Sequence, residues 1–351
     1  MTTLRNYPWH IARTKKTVSP LNTIVLASRV SISRNLKDKA FVQNMTMEDL
    51  RGQHDLFQEG VFSNPKIPLN LFAMNEISAN ERMCLFERGL LPRLFLKTWD
   101  ARYLAVSRDE SFSIVLNGTE HIRWNKYLEG SSLGKCYDFL EENLKNITES
   151  DVFAYHPAHG FLCADPTLTG TGLRASVLLH LPALALSRET QFLHNAATAM
   201  DLEVTSLSGD KKLFPGNFYI LSNHAALGLN ERELLRKVES CAQKIAEREI
   251  ALREKMMTEE NILLRDFCSR SEAVLCSAYL LPTQEAMNAI SGLMLAQDLG
   301  LPRRKKRLPD LKDLLLAIRS AHVEEWNQKE FSDPAKRSEA RARLVREMLN
   351  I

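Results

Sequence analysis

The sequence predicts an α+β fold, with strands and helices mixed up to about residue 255 and helix alone from there to residue 351. Three observations carry this. Seven short runs rich in β-branched and aromatic residues suffice for one sizeable sheet: Thr23–Ala27, Tyr103–Val106, Phe112–Leu116, His121–Trp124, Gly160–Ala164, Leu202–Ser206 and Phe218–Leu221. Asn117-Gly118 lies between two of them, and Asn-Gly readily takes the positive φ angles of a tight hairpin. At least that pairing is therefore antiparallel, which disfavours a purely parallel sheet. After Met257 the chain is rich in Ala, Leu and Met and is punctuated by Pro282, Pro302, Pro309 and Pro334, the pattern of short helices between breaks.

Two helices stand out before that point. Leu173–Leu186 reads as a helix broken near Pro182. Glu231–Met257 reads as a long one: Asn230 with Glu233 makes a capping box, and Leu234, Leu235, Val238, Ala242, Ile245 and Ala246 recur at helical spacing. A chain of 351 residues is long enough for two domains, and the change of pattern puts their junction near residue 255.

Hydrophobic residues at 44% and charged residues at 25% are globular values, so collagen-like and wholly disordered chains are excluded. A net charge of +3 is too slight for a dedicated nucleic-acid binder. Any anion site must therefore be local. The basic run Arg303-Arg304-Lys305-Lys306-Arg307 reads as a solvated loop in preference to a patch for nucleic acid or an acidic partner. Cys84, Cys136, Cys163, Cys241, Cys268 and Cys276 form no CxxC pair and have no histidine at ligand spacing, so neither a zinc site nor a disulfide scaffold is expected. Free thiols, no apolar leader in the first 16 residues and no run of about 18 apolar residues give a cytoplasmic reading with no membrane partner.

The stretch from Gly160 to Ser187 carries most of the chemistry. A predicted strand runs into Thr169-Gly170-Thr171-Gly172 and then into the helix that bears Arg174, an arrangement that would cradle a phosphate on backbone N–H groups. Neither the GxxxxGK[ST] spacing nor GxGxxG is present. Three other segments place cations at predicted strand ends: Ser28-Arg29-Val30-Ser31, then Asn117 to Arg123, then Gly209-Asp210-Lys211-Lys212. Arginine forks suit phosphate oxygens, and phosphoryl transfer is catalysed mainly by positioning and charge neutralisation.

In these segments, namely IVLASRVSISRN, VLNGTEHIR, GTGLRASVLLHLPALALS, GNFYILSNHAALGLNERE and the C-terminal KRSEARARLVREML, the chain resembles the ATP:guanido phosphotransferases, and among them the bacterial protein-arginine kinases. The resemblance implies an antiparallel sheet flanked by helices over residues 1–255 and a helical domain over residues 256–351 that supports dimerisation and phosphoarginine binding. It implies transfer of the γ-phosphoryl of Mg-ATP, the Mg²⁺ arriving with the nucleotide, to arginine side chains of proteins. It also implies a zinc-binding activator protein and a Clp-type chaperone-protease as partners.

Residue by residue, the resemblance puts nucleotide contacts at Ser28, Arg29, Val30, Ser31, Arg88, Arg123, Arg174, Ala175, Ser176, Val177, Leu178, Thr205 and Asp210. Ser31 and Thr205 stand where arginines are usual, and Arg88 where a histidine is. A guanidinium is protonated at neutral pH, so the reaction needs carboxylates to orient it and draw off a proton. Thr119 takes the place of the first family glutamate, Asp210 that of the second, and Asp165 that of the active-site cysteine. Glu120 is adjacent to Thr119 but expected on the opposite face. His121 reads as a hydrogen-bonded structural residue as readily as a chemical one.

The phosphoarginine-reading motif appears as Arg337, Ser338, Arg341 and Ala342, with the two arginines one helical turn apart; a solvated basic face is the other reading of them. Two functions follow from the whole: an arginine kinase with a rearranged carboxylate pair, or a pseudokinase that binds nucleotide or phosphoarginine without turnover.

Overall fold

Alternation of side chains explains the main sheet. A computed structural model describes residues 20–60, 67–98, 100–148, 152–207, 210–259, 262–302 and 308–350. Its strands are β1 Val25–Arg34, β2 Leu69–Ala73, β3 Tyr103–Ser107, β4 Phe112–Leu116, β5 Ile122–Glu129, β6 Tyr155–His156, β7 Gly160–Phe161, β8 Leu173–His180, β9 Leu202–Thr205 and β10 Phe218–Asn223. Eight of them form one antiparallel sheet in the order β2-β3-β4-β5-β1-β8-β10-β9, and β6 pairs with β7 alone. Residues two apart along a strand share a face. Val30, Ile32, Trp124, Ala175, Val177, Val204 and Leu221 fill one face and are buried under the helices. The opposite face carries Arg29, Ser31, Arg123, Asn125, Arg174, Ser176, Glu203 and Thr205.

The helices are α1 Pro20–Ile24, α2 Met47–Gln58, α3 Ala79–Glu87, α4 Leu133–Thr148, α5 Pro182–Leu186, α6 Thr190–Ala199, α7 Glu231–Thr258, α8 Ile262–Ser277, α9 Thr283–Asp298, α10 Leu311–Ala317, α11 Ser320–Asn327 and α12 Pro334–Met348. α4 and α7 cover the apolar face. α7 begins on the expected capping box, with Asn230 Oδ1 accepting from Glu233 N at 2.9 Å and Glu233 Oε2 accepting from Asn230 N at 2.9 Å. The junction expected near residue 255 lies in its last turn.

Buried Glu249 of α7 accepts the backbone N–H groups of Ala183 and Leu184, both at 2.9 Å, so a carboxylate satisfies the donors at the start of five-residue α5. Arg253 balances that charge at 2.8 Å and reaches Asp298 of α9 at 3.1 Å. From residue 262 to 350 the described residues form helices and their connections alone. A second core joins Leu26, Ala27, Leu178 and Phe218 of the sheet to α9, α10 and α12.

Three expectations are corrected. Leu173–Leu186 is a strand to His180 followed by short α5, not a broken helix. Leu173, Ala175, Val177 and Leu179 are buried on one side while Arg174 and Ser176 face the other, a period of two, and β8 is paired along both edges by β1 and β10. Central pairing overrides the helix propensity of Ala and Leu. No helix N-terminus therefore backs Thr169–Gly172. Gly172 is required there for packing: its φ is +65°, and a Cβ would lie 2.4 Å from Ser33 O.

The expected strand Gly160–Ala164 shortens to β7 and stays outside the main sheet. The amides of Ala164 and Asp165 are taken by a side chain, Glu120, and are not available to a ladder. The β4–β5 hairpin is antiparallel as expected, but Asn117 alone of the Asn-Gly pair has positive φ, at +58°. The connection runs from Asn117 to His121, closed by Asn117 N donating to His121 O at 2.8 Å. The run 303–307 and Gly209 lie outside the described residues.

Candidate active site

Register builds the site. Ser31 of β1 pairs with Asn125 of β5 and Arg174 of β8, Ser33 with Arg123, and Arg29 with Tyr127 and Ser176. Three strands far apart in sequence thus place Arg29, Arg123 and Arg174 on one face. Arg29 Nη2 donates to Asn125 Oδ1 at 2.9 Å and its Nε to Ser31 Oγ at 3.1 Å, while its guanidinium carbon lies 5.1 Å from the Tyr127 ring centre. Ser31 therefore orients Arg29. Arg123 Nε is shielded from solvent and has no hydrogen-bond partner among the described residues. Burial, reinforced by the like charges of Arg29 and Arg174, pushes Arg123 down to about 10. Like cations gathered around an unmet donor form a site with a demand for anions. Arg174 Nη1 is 2.5 Å from Glu203 Oε1, and its Nη2 donates to Thr167 Oγ1 at 3.3 Å.

Next to Arg29 a cavity of about 540 Å³ lies between the sheet and the C-terminal helices, lined by Arg29, Tyr127, Ser176, Leu178 and Thr205 on one side and Lys312 and Leu315 on the other; Arg123 and Arg174 are not in its lining. Ser28 lines it too, with its hydroxyl spent on Gly130 O at 2.6 Å. Val30 and Ala175 turn into the core behind the sheet, so their side chains are not available to a ligand on this face.

Arg88 lines the cavity but is buried and paired with Glu110 at 2.8 Å, with its Nε 3.4 Å from His322 Nε2. Burial pushes the Glu110 carboxyl up to about 7 against the pull of Arg88. His322 Nδ1 is 2.8 Å from Glu87, which also accepts from Ala321 N at 3.2 Å at the start of α11. The position expected to touch nucleotide is in this way tied to the C-terminal helices.

The carboxylates are engaged. Thr119 is exposed on the β4–β5 hairpin and bears no carboxylate. Buried Glu120 accepts from Asn35 Nδ2 at 2.5 Å, Ala164 N at 2.8 Å and Asp165 N at 2.9 Å, which fixes the loop that carries Asp165. Asp165 Oδ1 accepts from Thr167 N at 3.0 Å and Thr167 Oγ1 at 2.7 Å, so Thr167 links it to Arg174. Asp210 Oδ1 accepts from the backbone N–H groups of Lys212 at 2.6 Å and Leu213 at 3.1 Å, and these bonds hold its carboxyl below the usual range. His121 is structural: Nδ1 accepts from Leu36 N at 2.9 Å and Nε2 is 2.8 Å from Ala40 O.

The C-terminal arginines are not an open anion clamp. Arg341 is 2% exposed and donates to Ile318 O at 2.6 Å and Leu281 O at 2.9 Å. Ile318 closes α10, whose last carbonyls need donors, and Leu281 lies in the connection before α9; Arg341 serves both, with burial pushing it down to about 10. A solvated basic face is equally excluded for it. Arg337 pairs with Glu324 at 2.9 Å and also donates to Phe331 O. Ser338 O accepts from Leu281 N at 3.1 Å, and Ala342 is buried.

Sequence reasoning missed Asn125, Tyr127, Thr167 and Glu203. Glu203 was within reach, since it alternates with Thr205 in a predicted strand; the others depend on pairings between distant segments. Among the described residues no three His, Cys, Asp or Glu side chains cluster to hold a metal.

The sequence profile of the ATP:guanido phosphotransferase C-terminal catalytic domain matches residues 55–252, and that of the protein-arginine kinase McsB C-terminal domain matches residues 261–351. The protein-arginine kinase of Halothermothrix orenii is 29% identical over 337 residues, spanning 95% of each chain. That of Clostridium novyi is 30% identical over 336 residues, spanning 93% of this chain and 95% of its own. Lombricine kinase superposes with a TM-score of 0.59 at 21% identity, covering 67% of this chain and 68% of that one. The duplicated taurocyamine kinase from Schistosoma mansoni with bound transition state analog components also gives 0.59 at 21%, covering 77% of this chain and 40% of that one.

Proposed function

Because the chain belongs to the ATP:guanido phosphotransferase family, we propose that it binds ATP against Arg29, Arg123 and Arg174 and transfers the γ-phosphoryl to protein arginine side chains at a severely reduced rate. The observation that carries the first half is the gathering of the three arginines on one sheet face, where Arg29 lines the cavity and the Arg123 Nε is unmet among the described residues. An in-line transfer asks the protein to neutralise the phosphate oxygens and to hold the acceptor. The cluster meets the first demand, and magnesium enters with the nucleotide.

The second demand is poorly met. Thr119 is no proton acceptor, Asp165 is spent on Thr167, and Asp210 is held as a stabilised carboxylate, a weak base. Losing one preorganised charge contact costs about 10²–10³ in rate, and here a carboxylate and two arginines are replaced. The commitment of Asp210 to its own loop also favours a second reading, a nucleotide-binding regulator without turnover. A cytosolic setting, a dimer, a zinc-binding activator and a Clp-type chaperone-protease belong to the proposal as well.

The test is phosphotransfer from Mg-ATP to an arginine-rich protein, read as phosphoarginine by mass spectrometry under non-acidic conditions, beside nucleotide binding by calorimetry. Slow product that Asp210→Ala abolishes supports the kinase. Nucleotide binding without product in either protein supports the regulator, and no nucleotide binding refutes both.

A further inference from the structure

Glu203 is two residues from Thr205 on β9, so both side chains face the arginine cluster. Its Oε1 lies 2.5 Å from Arg174 Nη1 and 3.4 Å from Ser222 Oγ. Its Oε2 lies 3.3 Å from Lys211 Nζ and 4.0 Å from His224 Nδ1. One carboxylate thereby engages an arginine of the cluster and a lysine of the loop that carries Asp210. A guanidinium grips carboxylate and phosphate oxygens through the same N–H fork, so the two anions compete for it. Arg174 and Glu203 side chains are 30% and 21% exposed, open enough for exchange of partners.

Resting on the nucleotide site proposed above, we infer that Glu203 is an internal counter-anion: it occupies Arg174 and Lys211 in the ligand-free protein and yields them to the phosphate chain of a nucleoside triphosphate. With Glu203 in place, the cluster of like cations is partly neutralised and holds together without ligand. A highly charged phosphate chain meets the same carboxylate as a repelling neighbour. Glu203 therefore sets the affinity of the site for phosphate, and its displacement frees the Lys211 ammonium. A carboxylate that merely positioned Arg174 would act in the opposite direction, its loss weakening phosphate binding.

Glu203→Gln keeps the shape and removes the charge. Calorimetry with tripolyphosphate, ATP and adenosine reads the effect on the full chain. Binding of tripolyphosphate and ATP is expected to tighten about tenfold, the size of one partly solvated charge contact, with adenosine unchanged. The gain should vanish in an Arg174→Ala background, and Glu203→Asp should stay within about twofold of wild type. Unchanged or weaker phosphate binding by folded Glu203→Gln, an equal gain for adenosine, or an equal gain in Glu203→Asp overturns the inference. If wild type binds ATP but the gain is absent, the counter-anion alone is refuted. If neither protein binds ATP or tripolyphosphate, the nucleotide site falls with it.

Discussion

Replacing Glu120 by alanine removes an acceptor from three donors at once: Ala164 N, Asp165 N and Asn35 Nδ2, whose other hydrogen keeps Leu162 O at 3.0 Å. Glu120 is 4% exposed and Asn35 1%, while Ala164 and Asp165 are half-buried. A buried donor left without an acceptor costs about 1–3 kcal/mol. Water reaches two of these three, which puts each near the lower bound and the sum at about 3 kcal/mol, a large share of the 5–15 kcal/mol that holds a typical domain. The loss should appear as a lower urea midpoint, with faster hydrogen exchange at Ala164 and Asp165. Glu120→Ala should also loosen Asp165, whose backbone the carboxylate anchors. A loss under about 1 kcal/mol with both amides still protected would refute the clamp and reopen Glu120 as a free carboxylate near the transfer site.

Arg123→Met should weaken ATP binding by about 10- to 100-fold while raising the stability of the ligand-free protein by about 1 kcal/mol, because a partly buried cation with a shielded, unmet Nε and two like-charged neighbours is replaced by an apolar chain; calorimetry and urea unfolding of one preparation check both, and weaker binding with lower stability contradicts the reasoning. Gly172→Ala should cost more than about 2 kcal/mol, since φ of +65° and a Cβ 2.4 Å from Ser33 O add conformational strain to a clash; thermal unfolding within a degree of wild type would show that β8 does not need the close approach. Burial, with the Arg253 charge adding, holds His180 well below its usual value, so the unfolded chain takes up that proton first and stability falls as pH drops below about 6.5. His180→Gln should therefore lose about 1 kcal/mol less than wild type between pH 7 and 5.5, and equal losses by urea unfolding would contradict it.

Local signals were legible and long-range ones were not. The Asn230–Glu233 box and the apolar stripe of α7 depend on residues within one or two turns, and the helix starts where the box puts it. β8 was misread because Ala, Ser and Leu suit a helix as well as a strand, and only pairing with β1 and β10 decides between them. β2, Leu69–Ala73, escaped notice as a five-residue edge strand that gains its form from β3. Arg29, Arg123 and Arg174 were reached by resemblance, and their common face follows from register alone. The exposure expected for Arg341 failed because its partners, the carbonyls of Ile318 and Leu281, come from other segments. Asp165 and Asp210 were identified as acids, but the bonds that occupy them depend on φ and ψ in loops whose sequence marks only a turn.

In the proposed function the nucleotide half of a guanidino kinase site survives while its proton-accepting half is disabled. It is tested most directly by single-turnover phosphotransfer from Mg-ATP to an arginine-rich protein, with ATP affinity measured on the same preparation. Saturable ATP binding that depends on Arg123, with phosphoarginine forming at least about 10²-fold more slowly than in a relative that carries the family's glutamates, is the predicted result. Phosphoarginine formed at the relative's rate, or ATP binding indifferent to Arg123→Met, would contradict it.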